Sequence, residues 1–158
     1  HRRFVPGRLK GIPIMNTAQN NQSAELGAFV LRVSLGVLFL AHGLMKVFVF
    51  TIPGTVGFFQ SLGYPAIFAY LTMLGEIGGG LLLIAGVYTR WIALALVPLM
   101  IGATLVHISN GWVFSNNGGG WEFPVLWTVL LGVQALLGNG AFALRIPGLT
   151  AAPKARIA

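Results

Sequence analysis

Six ionisable side chains fall within or at the ends of otherwise apolar stretches of this sequence: Arg32, His42, Lys46, Glu76, His107 and Glu122. Ionisable groups are costly in apolar surroundings, so they turn toward one another, toward a cavity or toward a ligand. At 100° per residue, Arg32, His42 and Lys46 lie within roughly 80° of each other on a helix, which gives them one shared, inward face. Counted at about 1.5 Å per residue, Arg32 lies about 9 Å from the start of its segment, His42 and His107 about 24 Å, and Glu76 about 16 Å. This spacing predicts an outer polar ring of His42, Lys46, His107 and Glu122. Glu76 should sit beneath it, met by His42 from above or by Arg32 from below.

Three chemistries use such a set. Two histidines at matching depth on different helices are the pattern of axial haem ligation, although nothing in the spacing demands a haem b. A His/carboxylate metal site is disfavoured because no Glu-x-x-His pair occurs, and no metal is expected. A quinone headgroup needs a hydrogen-bond donor and a proton-exchanging group near the bilayer edge. His42, His107 and Glu122, with nearby aromatics, supply those, so they are the expected quinone contacts. No catalytic residue can be named.

Plainer roles compete. Glu76 could serve only as an ion pair that locks helix register. Lys46 and Arg90 could extend to lipid headgroups, and Glu122 could be a helix-start acid favoured by the dipole. Gln134 and Asn139 are expected to make interhelical hydrogen bonds. Nucleophile elbows, dinucleotide-binding glycine patterns and phosphate-binding loops are absent; Gly118-Gly119-Gly120 reads as a flexible loop because no GK[ST] follows.

The elements that carry these residues follow from composition. Of 158 residues only 10 are basic and 3 acidic, charged residues make up 8% and hydrophobic ones 56%, and mean hydropathy is +0.81. A soluble domain carries about 25% charged residues, so this chain lacks the polar surface to face water on all sides. The absence of cysteine removes disulfides, thiolate metal sites and thiol nucleophiles. The formal charge of +7 resides mostly in the flanks, where lipid headgroups rather than nucleic acid are the expected counter-ions.

Four apolar segments stand out, about 26–50, 64–88, 91–109 and 121–144. Each is about 19–25 residues long, enough to cross a hydrocarbon core of about 30 Å. Ser23 reads as the N-cap of the first, with Glu25 near its positive end. Pro65 and Pro124 suit the first turns of the second and fourth. The connections 51–63 and 110–120 carry turn formers and no charge, and the middle one is a tight turn at Thr89-Arg90. Arg2, Arg3, Arg8 and Lys10 precede the first segment, Arg90 lies in the middle turn, and Arg145, Lys154 and Arg156 follow the last. By the positive-inside rule both termini and the middle turn are cytoplasmic, and Tyr64, Trp112 and Trp121 mark the outer interface.

The expected fold is therefore an all-α, four-helix transmembrane bundle over 26–145. A polar N-terminal tail (1–25) and a C-terminal tail (146–158) flank it, and Met15 reads as a natural start with 1–14 as an extension. Gly75/Gly79 and Gly36/Gly43 are spaced to let helices approach closely.

The run Leu31-Arg32, Gly36, Phe39, His42-Gly43 and Lys46 resembles the opening of the DoxX family. The similarity continues through Phe59, Gly63, Pro65, Glu76-x-x-Gly79-Gly80, Gly86-x-x-Thr89-Arg90, His107, Gly111 and Glu122-Phe123-Pro124, and covers about residues 26–145. The resemblance implies a small multi-pass protein of the bacterial inner membrane. Its relatives include the quinone-reducing subunit of an archaeal thiosulfate:quinone oxidoreductase, and membrane anchors for partners in oxidative-stress or sulfur chemistry. It assigns no active-site residues. The expected function is the membrane subunit of a redox or electron-transfer system, a quinone-linked oxidoreductase subunit. The alternative is a non-catalytic scaffold that recruits a redox or stress-response partner. The lipid bilayer, a redox partner protein and a homo-oligomer are the expected associations.

Overall fold

The computed structural model describes residues 17–144 and 146. Among them the chain is all-α: α1 (Thr17–Phe48), α2 (Ile52–Ser61), α3 (Ala66–Ala85), α4 (Thr89–His107) and α5 (Glu122–Leu137), with a 3-10 turn at Ile108–Asn110 closing α4. The four expected helices are α1, α3, α4 and α5, with different ends.

α1 begins well before the expected start, so Ser23 lies inside it and does not cap it. The stretch from Thr17 to Leu26 contains no glycine or proline, the residues that most strongly interrupt a helix. The charge-free stretch 51–63, expected to be only a connection, contains α2. Its cause is local: the Thr51 hydroxyl accepts from the Gly54 amide at 3.3 Å, and a proline lies in the first turn, both start signals. The Thr55 hydroxyl donates to the Lys46 carbonyl at 2.8 Å, which fastens α2 to the end of α1.

Pro65 stands just before α3 as its N-cap, and Gly86 ends α3 in the left-handed region at φ 77°. Its amide bonds to the Leu82 and Leu83 carbonyls, and the Val87 amide to Leu82, a glycine-terminated closure of the helix. The middle turn is thus 86–88, and Thr89 and Arg90 are already helical. α5 stops at Leu137, short of the expected Leu144, because Gly138, Gly140 and Phe142 take positive φ. Residues 138–144 fold back as a strap: the Ala141 amide bonds to the Glu25 carbonyl at 3.0 Å and the Leu144 amide to Ala85 at 2.9 Å.

α1 packs most extensively on α3, and α4 on α5. The first pair meets through glycine. A methyl group on Gly36 would stand 2.8 Å from the Gly80 carbonyl oxygen, and one on Gly80 2.7 Å from the Leu40 amide. Leu35, Phe39, Leu83, Leu96, Met100 and Leu131 form the buried core between the pairs.

Three helical stretches, Gln19–Phe48, Ala66–Ala85 and Thr89–Asn110, are long and apolar enough to cross a membrane, and α5 is apolar but shorter, at 16 residues (Glu122–Leu137). Their large side chains point outward: Leu74 is 69% exposed and Leu136 80%. Outward leucines in this number are the surface of a protein that lipid solvates. One end of the bundle gathers the first turns of α1, the 86–88 turn and the strap. The other gathers the end of α1, α2, the start of α3 and the 111–121 loop. The basic tail residues Arg2, Arg3, Arg8, Lys10, Arg145, Lys154 and Arg156, and the start at Met15, lie outside the described residues.

Candidate functional site

At the end away from the strap, α1 to α5 and the 114–120 loop enclose a cavity of about 510 Å³. His42, Lys46, Glu76 and His107 all line it, together with Thr72, Tyr64 and Trp127 and walls of Phe58, Phe59, Phe68 and Phe123. Four of the six expected ionisable residues therefore converge. The partner of Glu76 differs from both expectations: Lys46 Nζ donates to Glu76 Oε1 at 2.8 Å. Lys46 projects one turn beyond His42 on the same face, and its four-carbon arm lets the ammonium reach inward. The lysine is thus half-buried in a pair and does not extend to headgroups. Glu76 is buried, and its Oε2 has no hydrogen-bond partner; neither does Trp127 Nε1. Buried polar atoms are nearly always satisfied, so two orphans in the wall of one cavity are exceptional.

His42 Nδ1 lies 2.9 Å from the Leu38 carbonyl, one turn back on α1, and its ring meets Trp127 edge-on at 5.1 Å. His107 Nδ1 lies 3.0 Å from the Gly118 carbonyl. A carbonyl can only accept, so Nδ1 carries the proton in both rings, and Nε2 is the acceptor of each neutral imidazole. The Asn110 amide donates to the same Gly118 carbonyl at 3.0 Å. Gly118–Gly120 is therefore a tied turn, contrary to the expectation of a flexible loop.

Arg32 and Glu122 do not join the cavity. The Glu122 carboxylate accepts from the Phe114 amide at 2.9 Å, bracing the loop at the start of α5, in keeping with its plainer reading. Arg32 lies toward the strap, fully buried. Its NH2 donates to the Ala141 carbonyl at 3.1 Å and the guanidinium stands 5.5 Å from the Phe29 ring centre, while Nε and NH1 find no partner. It therefore holds the strap and does not approach Glu76. Arg90, which stays exposed, donates to the Leu136 carbonyl in the last turn of α5 at 3.3 Å. Gln134 bonds to the Gly138 carbonyl four residues on, not to another helix, and Asn139 lies in the strap beyond α5.

Sequence reasoning missed α2 and the cavity wall it supplies. Thr51 followed by Pro53 was the available signal, outweighed by Gly54, Gly57 and Gly63. It also missed Trp127 and Thr72, whose types are ordinary in any apolar helix. Among the described residues no three His, Asp or Glu side chains gather as a metal site.

An apolar helical bundle with a polar-floored cavity at one end defines a small integral membrane protein, and comparison with known proteins places it. The DoxX family signature matches residues 27–108, and the chain belongs to that family. It is 38% identical to "Putative oxidoreductase CatD" of Bacillus subtilis over 78% of this chain and 88% of that protein. It is 34% identical to YdgD of the same organism over 70% and 86%. With "Inner membrane protein YqjF" of Escherichia coli it shares 27% identity over 76% and 90%. No solved structure matches the chain.

Proposed function

We propose that this chain is a membrane subunit of a redox system, seated in the bacterial inner membrane, that holds a quinone headgroup in the cavity at the end of the bundle. The observation that carries the reading is the convergence of His42, Lys46, Glu76 and His107 on one aromatic-walled space. The names of two relatives, an oxidoreductase and an inner membrane protein, point the same way.

The chemistry is that of hydrogen bonding and proton supply. The Lys46 ammonium has two N–H groups beyond the one given to Glu76, and either can donate to a quinone oxygen. Where an Nδ1 donates to a backbone carbonyl in the neutral ring, the Nε2 of His42 or His107 is free to accept from a hydroxyl of the reduced form. Reduction of the quinone takes two electrons and two protons. In this reading a reduced partner subunit delivers the electrons. The titratable groups in the cavity wall pass the protons. In this assignment Lys46 and Glu76 take the place expected of Glu122, which lies outside the cavity.

Trp127 makes the reading testable, because a quinone seated beside it quenches indole fluorescence. In lipid nanodiscs, added quinone should quench the protein, and Trp127→Phe should remove most of the saturable component. Replacing both His42 and His107 with Ala should weaken binding by about tenfold, the effect of losing hydrogen bonds together worth about 1.4 kcal/mol. Quenching without saturation, or binding unchanged in the double variant, rejects the site and leaves the scaffold reading, in which the bundle only anchors a partner.

A further inference from the structure

The cavity has an inverted polarity. Its buried carboxylate, Glu76, lies at the inner end and is paired with Lys46, whereas its rim is apolar and aromatic: Phe58, Leu62, Phe68, Phe114 and Phe123 are each 42–57% exposed. A site filled from water presents the opposite order.

The helix packing explains where the opening lies. α3 and α4 touch below the cavity, where a methyl on Gly75 would come 2.8 Å from Leu99 Cδ1 and one on Gly79 2.8 Å from Leu96 Cδ2. Above that level they part. Phe68 and Thr72 on α3 then face Gly102, Ala103 and Val106 on α4 across empty space. The slot runs about 12 Å along α3 from Glu76 to Phe68, at 1.5 Å per residue. Pro98 sits inside α4 between the Leu96 and Leu99 contacts with α3, and it has no N–H to give the Leu94 carbonyl, a common origin of a bend. α2 packs on α1 and α3. Both banks belong to helices long and apolar enough to cross a membrane, so the slot opens sideways into whatever solvates those helices.

We propose that this slot between α3 and α4 is a lipid-side doorway. A neutral, long-tailed ligand enters headgroup first and leaves its tail lying outward past Phe68, Gly102 and Val106. The Lys46–Glu76 pair, with Nζ and Oε1 2.8 Å apart, sums to zero charge and so gives no preference for an ionic headgroup. The identity of the ligand as a prenylated quinone rests on the function proposed above; the route does not.

The chain lacks cysteine, so single cysteines introduced at Phe68 and Val106 on the rim of the slot and, as a loop control, Asn117 carry unique nitroxide labels. In nanodiscs the two rim labels should relax mainly by collision with dissolved oxygen, and the Asn117 label with a water-soluble nickel chelate. Nickel-dominated relaxation at the rim would overturn the doorway, whether or not any quinone binds. The second arm uses Gly102→Leu, which places a bulky apolar side chain at the slot, where a Cβ meets nothing within 4 Å. It should weaken a prenylated quinone at least tenfold, at equal concentration in the lipid, and leave a tailless quinone of the same ring within about twofold. Equal effects on both ligands, or none on either, would show that the tail does not lie in the slot. If neither quinone binds the unaltered protein, the quinone assignment fails, while the relaxation data still decide the route.

Discussion

Removing one member of the Lys46–Glu76 pair leaves the other charged among apolar walls, and the two removals are not equivalent. The Lys46 side chain keeps 20% of its surface exposed and Glu76 10%. A lysine that loses its partner can swing outward on its flexible stem, whereas the shorter carboxylate stays where α3 holds it. Lys46→Met should therefore be the more damaging change, costing on the order of 3 kcal/mol, the lower part of the range for a buried pair broken from one side. Glu76→Ala should lower thermal stability in detergent by less. The double variant Lys46→Met/Glu76→Leu should recover most of the loss. Melting curves of the four proteins provide the check; equal and additive losses would mean that the pair contributes nothing as a pair. The depth and common face of these residues were legible in the sequence, because helical periodicity fixes both. Which residue reached Glu76 was not. Arg32, His42 and Lys46 all lie on the same face, and the choice depended on the Leu38 carbonyl occupying His42 and the strap occupying Arg32, contacts no local pattern announces.

At the level of elements, the contact of α1 with α3 depends on two glycines facing each other. A Cβ at Gly36 would collide with the Gly80 and Ile84 backbone as well as the Ile84 side chain, and one at Gly80 with the Leu40 and Gly36 backbone. Gly36→Ala or Gly80→Ala should therefore separate the helices and cost about 1–3 kcal/mol, the usual penalty for overfilling a tight interface. Gly78→Ala, where an added Cβ meets nothing within 4 Å, is the control on the same helix and should be neutral. A melting temperature equally unchanged in all three would contradict the close approach. The long helices were readable because four apolar runs of membrane length leave no other solution. α2 was hidden because ten residues with two glycines carry too weak a periodic signal, and its start depends on a single hydroxyl. The early end of α5 was masked for a related reason: the strap is nearly as apolar as the helix before it, and only Gly138 and Gly140 mark the change.

For the whole molecule, the turn 86–88 and the strap share one end, and the 111–121 loop lies at the other. A cysteine at Asn117 should react with a membrane-impermeant maleimide added outside intact cells, and one at Tyr88 only after the membrane is opened. The reverse pattern would invert the orientation that the basic residues predict. Arg32 gives the arrangement of the bundle a temporal consequence. Its guanidinium is fully buried and its single hydrogen bond goes to Ala141, 109 residues further along the chain. During synthesis the first helix must therefore wait in the bilayer with an unsatisfied cation until the last segment emerges. Strap closure thus supplies the Arg32 guanidinium with a partner that no earlier part of the described chain provides.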